Sequence, residues 1–296
     1  MSSLPPPPPS TPSPPSAPAA TTPNRCYRHP NREAYRACTR CGKVACADCL
    51  IQASVGSHCL DCARASRPAA STRLKYWNAR QPVLVTYTIM AINIAVFVLI
   101  AVAEPSTTGG RQRVSELQFD LALAEPFLRI NHEWYRLVTS GFVHFGLIHI
   151  GFNMLLLFQL GHLLERPLGR IRFGLLYAAS LLGGSAGVLL IDPNSVTAGA
   201  SGAVFGLMGA AFIGLRQRGI NPFSTGIGTT LVLNLVLTFT VPGISIGGHL
   251  GGVVAGAACG VLMFPPRHRP TPEWATYAAP AGVAVLAVII SFVVAS

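Results

Sequence analysis

From Val83 to its C-terminus the chain alternates long apolar runs with short clusters of charge. Seven runs approach the ~20 residues that a helix needs to cross a bilayer. They cover roughly 83–103, 142–164, 173–191, 199–215, 223–241, 244–264 and 275–295, and none contains Asp, Glu, Lys or Arg. This pattern predicts seven membrane-spanning helices. The fourth run is short and starts at a glycine-rich stretch. Polar backbone is tolerated at membrane depth only where protein or a wet cavity surrounds it.

Composition agrees with the pattern. Half of the 296 residues are hydrophobic and 11% are charged, against roughly a quarter charged in a soluble domain. A soluble globular enzyme is excluded. Residues 1–24 include ten prolines among Ser, Thr and Ala and read as a disordered, polyproline-like tail rather than a ligand for a proline-binding partner. They lack the basic and apolar regions of a signal peptide. Residues 64–80 form a basic linker whose Tyr76 and Trp77 suit a membrane interface.

The net charge of +11 is concentrated early: eleven of the 22 Lys and Arg lie between Arg25 and Arg80, against Glu33, Asp48 and Asp61. Later basic residues recur in alternate loops, at Arg166, Arg170 and Arg172, at Arg216 and Arg218, and at Arg267 and Arg269. The positive-inside rule then predicts a cytoplasmic N-terminus and an extracytoplasmic C-terminus. Few Lys beside abundant Ala, Gly, Pro and Arg suggest a GC-rich bacterial genome, and hence the plasma membrane.

With this topology, runs two, four and six enter from the same side. They carry His149 and Asn153, then Ser201, then His249 at similar depth. An ionisable group within a span is costly without a role or partner. A serine hydroxyl becomes nucleophilic when a base takes its proton, and neutral imidazole is the usual base. Ser201 at a helix N-terminus would have backbone N–H groups nearby to hold an oxyanion. His149 and Asn153, four residues apart, share a helix face and offer further donors. Gly202 and Gly206, with Gly248, Gly252, Gly256 and Gly260, recur in steps of four, which lets helix backbones touch. Isolated Ser180, Ser185 and Ser245 read as satisfied by backbone carbonyls.

Gly199-Ala200-Ser201-Gly202, His149-x-x-x-Asn153 and the His249-Leu-Gly-Gly segment together resemble the rhomboid family of intramembrane serine proteases. His144 to His149 and Trp134-Tyr135-Arg136 match further family motifs. The resemblance implies an all-α polytopic membrane protein with a six-helix core (81–265), followed by a seventh helix (266–296). It implies a Ser201–His249 dyad, an oxyanion site of His149, Asn153 and the Ser201 backbone, and a loop shaped by Gly199. Transmembrane protein substrates and the lipid bilayer are the implied partners. Trp134 and Arg136 would serve the loop's structure. Phe205 stands where many relatives carry Tyr; it could still stack on His249. Asp192 reads as a loop residue, and Trp274 and Tyr277 as interface anchors.

Residues 25–63 hold Cys26-x-x-His29, Cys38-x-x-Cys41, Cys46-x-x-Cys49 and Cys59-x-x-Cys62. Eight N/S ligands make two closed, structural zinc sites, and clustered thiols suit a reducing compartment. The order resembles the B-box class of zinc finger, which implies that pairs one and three hold one ion and pairs two and four the other. His58 is a spare. So small a module draws most of its folding energy from metal. Its basic residues suit the anionic inner leaflet or a cytoplasmic protein partner better than nucleic acid, for which no supporting motif exists.

Two other readings compete with a protease. A catalytically silent relative would bind transmembrane helices and recruit partners through the zinc module, but both dyad residues are present. A membrane metal site could use His144, His149 and His249, but the sequence holds no HExxH and no carboxylate within the seven runs.

Overall fold

The computed structural model describes residues 24–79, 81–105, 114–266 and 268–296. The proline-rich tail up to Pro23, Arg80, Arg267 and the side chains of Lys75 and Trp77 lie outside the described residues. Chain contacts separate two compact units, divided between Trp77 and Asn78.

The first unit has two short hairpins. Strand β1 (Arg36–Ala37) pairs antiparallel with β2 (Val44–Ala45), and β3 (Leu50–Gln52) with β4 (Ser57–Cys59). Helices α1 (Leu60–Ala65) and α2 (Ala70–Ala79) follow. Its apolar core is a handful of buried groups: Cys26, Ala34, Ala45 and Cys49, with Tyr27, Val44 and Leu50 packed beside them.

The second unit is helical. It begins with α3 (Leu84–Ala103), continues through short helices α4 (Glu116–Leu121), α5 (Glu125–Asn131) and α6 (Arg136–Thr139), and then α7 (Leu147–Leu168) and α8 (Arg170–Ile191). Helices α9 (Ser201–Gln217), α10 (Ile227–Thr240), α11 (Ile246–Met263) and α12 (Glu273–Val294) complete it. All seven apolar runs thus become helices. Among the described residues, α3, α7, α8, α11 and α12 are long and apolar enough to cross a membrane, which makes this a multi-pass membrane protein. The surface is inverted accordingly. Leu99, Ile148, Val254 and Val293 face outward, while Asn93, Asn153, Glu165 and Ser185 are buried, because lipid rewards outward apolar groups and penalises unpartnered polar ones.

The boundaries differ from the apolar runs for local reasons. The second helix starts at Leu147 rather than 142, because Ser140–Phe142 forms a 3-10 turn and Gly146 sits at φ 90°, a conformation costly to other residues. Helix α10 has 14 residues, about 21 Å at 1.5 Å per residue. The chain before it is held in turns by Asn221, whose Oδ1 accepts from the Phe223 N–H and whose carbonyl accepts from Ser224 Oγ.

Glu165 corrects the expectation that the spans hold no acid. Helix α7 runs past 164 and takes in Glu165, which is fully buried. Its carboxylate accepts from the N–H groups of Val85 and Thr86, each at 2.8 Å, and from Thr86 Oγ1 at 2.6 Å. One acid thereby satisfies two of the orphan donors at the start of α3.

The centre of the unit is backbone against backbone. A Cβ on Gly252 of α11 would lie 2.0 Å from the Gly202 carbonyl oxygen of α9, and one on Gly256 would lie 1.9 Å from that of Gly206. Across the other side of α11, a Cβ on Gly251 would lie 2.3 Å from the Gly183 carbonyl of α8. The four-residue glycine steps therefore place α11 directly on both α8 and α9.

Gly252→Ala is expected to destabilise the helical unit by at least the ~1–3 kcal/mol typical of overpacking, because backbone must move. Gly151→Ala on α7, where a Cβ meets nothing within 4 Å, should be neutral or gain up to ~1 kcal/mol of helix propensity. Thermal unfolding of the two variants in the same detergent checks the contrast.

Candidate active site

Helix α9 starts at Ser201, so its first-turn N–H groups have no carbonyl four residues back within the helix. The approach of α11 brings His249 to this end. Its Nε2 lies 2.9 Å from Ser201 Oγ. The Phe205 ring, one turn along α9, stacks on the imidazole with centroids 3.9 Å apart and planes at 17°. On the far side, His249 Nδ1 lies 2.7 Å from the hydroxyl of Thr238 on α10. His249 is buried and Ser201 half-buried.

The loop before Ser201 is pinned twice. Gly199 N–H donates to the Ser140 carbonyl at 2.8 Å, and Ala200 N–H points at His144 Nε2 at 3.4 Å. Gly199 has φ 134°, and a Cβ there would lie 2.7 Å from both Cε1 and Nε2 of the His149 ring. Only glycine lets the loop and this imidazole meet. The Phe145 N–H donates to His149 Nδ1 at 3.2 Å. A nitrogen that accepts is unprotonated, so the neutral ring carries its proton on Nε2, toward the Ser201 loop. Asn153 Nδ2 donates to the His149 carbonyl at 2.9 Å, which leaves its second N–H to offer.

Ser201, His249, His149, Asn153 and Gly199 all line one cavity of about 410 Å³. Phe152 and Leu156 of α7 form part of its wall, with Asn234 of α10 and Pro242 to Ile244 beyond it. The cavity thus combines a mostly apolar wall with several hydroxyls, Ser201 among them, two imidazoles and the amides of Asn153 and Asn234.

Three contributors have no motif in the sequence. Asp192 is more than a loop residue. Its carboxylate accepts from Ser245 Oγ and from the Gly247 N–H, both at 2.8 Å. Ser245 Oγ in turn accepts from the Gly248 N–H at 3.0 Å. The start of α11, one turn before His249, is therefore capped from the end of α8. Ser245 is thus satisfied by a carboxylate, not the carbonyl expected; Ser185 does donate to a carbonyl, that of Leu137, at 2.7 Å. Ser180 Oγ has no partner within the described residues. The other two contributors are Thr238 and Ser140, whose carbonyl accepts from the Gly199 N–H.

Arg136 is buried and spans the loop between α3 and α7. It bonds the Ala122 carbonyl at 2.7 Å, the Phe119 carbonyl and Glu133, and its guanidinium lies 4.2 Å from the Phe127 ring centroid. The hydrogen bond from Arg136 holds the Glu133 carboxyl below its usual range. Trp134 stacks on Phe292 of α12 at 3.8 Å, so the last helix supports this loop. Trp274 is exposed, while Tyr277 faces Arg172 at 5.4 Å.

In the first unit, Cys26, His29, Cys46 and Cys49 gather their ligand atoms within 4.8 Å, and so do Cys38, Cys41, Cys59 and Cys62. The pairs interleave as one with three and two with four. A tetrahedral ion with bonds of ~2.3 Å to sulfur and ~2.05 Å to nitrogen spaces sulfurs about 3.8 Å apart and sulfur from nitrogen about 3.5 Å. Here Cys41 and Cys59 sulfurs are 3.7 Å apart, and His29 Nδ1 lies 3.4–3.8 Å from its three sulfurs. The clusters can each hold a metal ion of that size. Burial would raise the Cys26 thiol, but backbone donors at Cys46, Arg28 and His29 outweigh it and bring it to about 6. Cys38 is brought to about 6 in the same way by donors at Cys59, Cys41 and Arg40. Metal binding requires the thiolate form. His58 belongs to neither group.

Residues 131–266 match the Rhomboid domain family model. The chain is 34% identical over 62% of its length to the rhomboid protease GluP of Bacillus subtilis, and spans 35% of that protein. It is 35% identical over 47% of its length to the putative rhomboid protease YdcA of the same organism, of which it covers 72%. It is 30% identical over 54% of its length to rhomboid-like protease 1 of Toxoplasma gondii, covering 57% of it.

Two predictions arise from this arrangement. Asp192→Ala and Ser245→Ala should each cost about 1 kcal/mol of stability, as lost helix caps do. The double variant should cost less than the sum, because both act in one network; denaturation of the four-member cycle measures this. Metal analysis of the purified chain should find two ions, falling to one in Cys46→Ser and in Cys62→Ser, one variant per cluster.

Proposed function

The chain belongs to the rhomboid family, and on that premise we propose that it is an intramembrane serine protease with Ser201 as nucleophile and His249 as general base and acid. The observation that carries this reading is the 2.9 Å contact between Ser201 Oγ and His249 Nε2 at the edge of the cavity. Substrates are single-span or multi-span membrane proteins, cut in or near a transmembrane helix. A packed helix hides its carbonyls, so the segment must unwind before attack.

The chemistry proceeds in two halves. Ser201 Oγ attacks the scissile carbonyl carbon while its proton passes to His249 Nε2. The carbonyl oxygen gains the negative charge. It is held by the His149 Nε2–H, the Asn153 amide and the N–H at Ser201. When the tetrahedral intermediate collapses, the C–N bond breaks and His249 gives its proton to the departing amine. An ester on Ser201 remains. His249 then takes a proton from water, the hydroxide oxygen attacks the ester, and Ser201 regains its proton as the carboxyl product leaves.

The remaining assignments rest on sequence. The protease core is 81–265, and the seventh helix lies in 266–296. The N-terminus faces the cytoplasm of a bacterium, and the membrane is its plasma membrane. The metal in the two N-terminal clusters is zinc, acting structurally at residues 26–62. Its module engages the inner leaflet or a cytoplasmic protein.

Cleavage of a single-span model substrate in liposomes tests the reading. Wild type should cut, and Ser201→Ala and His249→Ala should not. His149→Ala and Asn153→Ala should each lower kcat by about a hundredfold to a thousandfold, the range for loss of an oxyanion donor. Undiminished cutting by both dyad variants would show that the chemistry lies elsewhere. An intact wild type that neither cuts nor is labelled by a serine-reactive probe would identify a helix-binding relative instead.

A further inference from the structure

We infer that Thr238 is a positioning residue that fixes the tautomer of His249, serving with a neutral hydroxyl the orienting role that a carboxylate serves in other serine hydrolases. The inference deepens the dyad reading above and rests on it.

The argument is a count of protons. Thr238 Oγ1 has one hydrogen and two polar neighbours. It lies 2.8 Å from the Asn234 carbonyl oxygen, one turn back on α10, and 2.7 Å from His249 Nδ1. A carbonyl can only accept, so the hydroxyl gives its hydrogen to Asn234. The oxygen then faces Nδ1 as an acceptor, and Nδ1 must carry the imidazole proton. In a neutral ring this leaves Nε2 bare, facing Ser201 Oγ at 2.9 Å. That is the form in which His249 can take the serine proton. The opposite tautomer would set the Nδ1 lone pair against Thr238 and turn an N–H toward Ser201, where it cannot act as a base.

The placement also suits the membrane. Thr238 is 2% exposed. A carboxylate at this depth would have to be desolvated, at a cost the Coulombic gain need not recover. A threonine whose hydroxyl is already committed to its own helix carries no such penalty. Its direction is set by α10 backbone. The Phe205 stack restrains the same ring from its face. The two contacts fix different things: Phe205 the ring's plane, and Thr238 its rotation within that plane and its proton.

Thr238→Val removes the hydroxyl at nearly constant volume, and Thr238→Ser keeps it. In liposomes, Thr238→Val should lower kcat about tenfold, the loss of about one hydrogen bond's orienting energy. Its KM should stay near wild type, because Thr238 is not among the residues lining the cavity. Thr238→Ser should recover most of the rate. Independently, nitrogen NMR of the full chain with labelled histidine, assigned by difference against His249→Gln, should show His249 protonated at Nδ1 in wild type and a mixture in Thr238→Val. A wild-type kcat in Thr238→Val while Ser201→Ala is silent overturns the inference and leaves the dyad standing. An equal fall in both Thr238 variants overturns it as well, since packing would then be the cause. An Nε2-protonated ring in wild type overturns it without any variant. Should Ser201→Ala cut normally, the dyad reading fails, and the NMR still decides what Thr238 does.

Discussion

The contact of α9 with α11 at bare backbone is the constraint on which the rest depends. Ser201 and His249 are 48 residues apart, and neither reaches the other unless the helix axes close to a distance that any side chain would forbid. The facing pairs Gly202–Gly252 and Gly206–Gly256 remove the side chains. No hydrophobic drive favours helix association in lipid, so close packing must supply it. The same glycines thus contribute to stability and set the reach of the site. Because α11 also lies on α8 through Gly183 and Gly251, its rotation is fixed from two sides. His249 accordingly has one direction in which to point.

Around that contact, charge is spent at helix ends. Glu165 closes the start of α3 and Asp192 the start of α11. Both acids answer N–H groups that would otherwise lie near or within lipid without partners. Each also links elements far apart in sequence, α7 to α3 and α8 to α11. Arg136 does comparable work in the loop by collecting carbonyls from the end of α4. Polar groups here serve as joints between helices, while the outward faces are left to aliphatic and aromatic side chains.

How much of this the sequence disclosed follows from what each feature needs. Helices declare themselves through long apolar runs, and all seven were legible. The glycine steps, the Gly199–Gly202 loop, His149 with Asn153, and the four Cys/His pairs were legible because each is a local pattern of fixed spacing. Glu165, Asp192, Ser140 and Thr238 were not. Each is a single ordinary residue whose partner lies in another element. Glu165 stood one position beyond an apolar run and looked like loop charge, and Asp192 stood between two runs and looked the same. Thr238 sat inside a run where a threonine is unremarked. The one available signal was position: an acid at the mouth of a span is a candidate cap for whichever helix begins beside it.

The two histidines of the site show why such unmarked partners matter. His149 and His249 are chemically identical, yet the proposed mechanism asks opposite things of their Nε2 atoms: one must give a hydrogen bond and the other must take a proton. Nothing in either imidazole decides this. The decision is made at Nδ1 of each ring: the Phe145 N–H donates to one, and the Thr238 oxygen accepts from the other. A donor behind the ring makes the front a donor, and an acceptor behind it makes the front an acceptor. Exchanging the two partners would exchange the two roles. The proposed division of labour between oxyanion donor and general base therefore rests on the second contact of each ring, on α10 and in the turn before α7, rather than on the motif that holds the histidines.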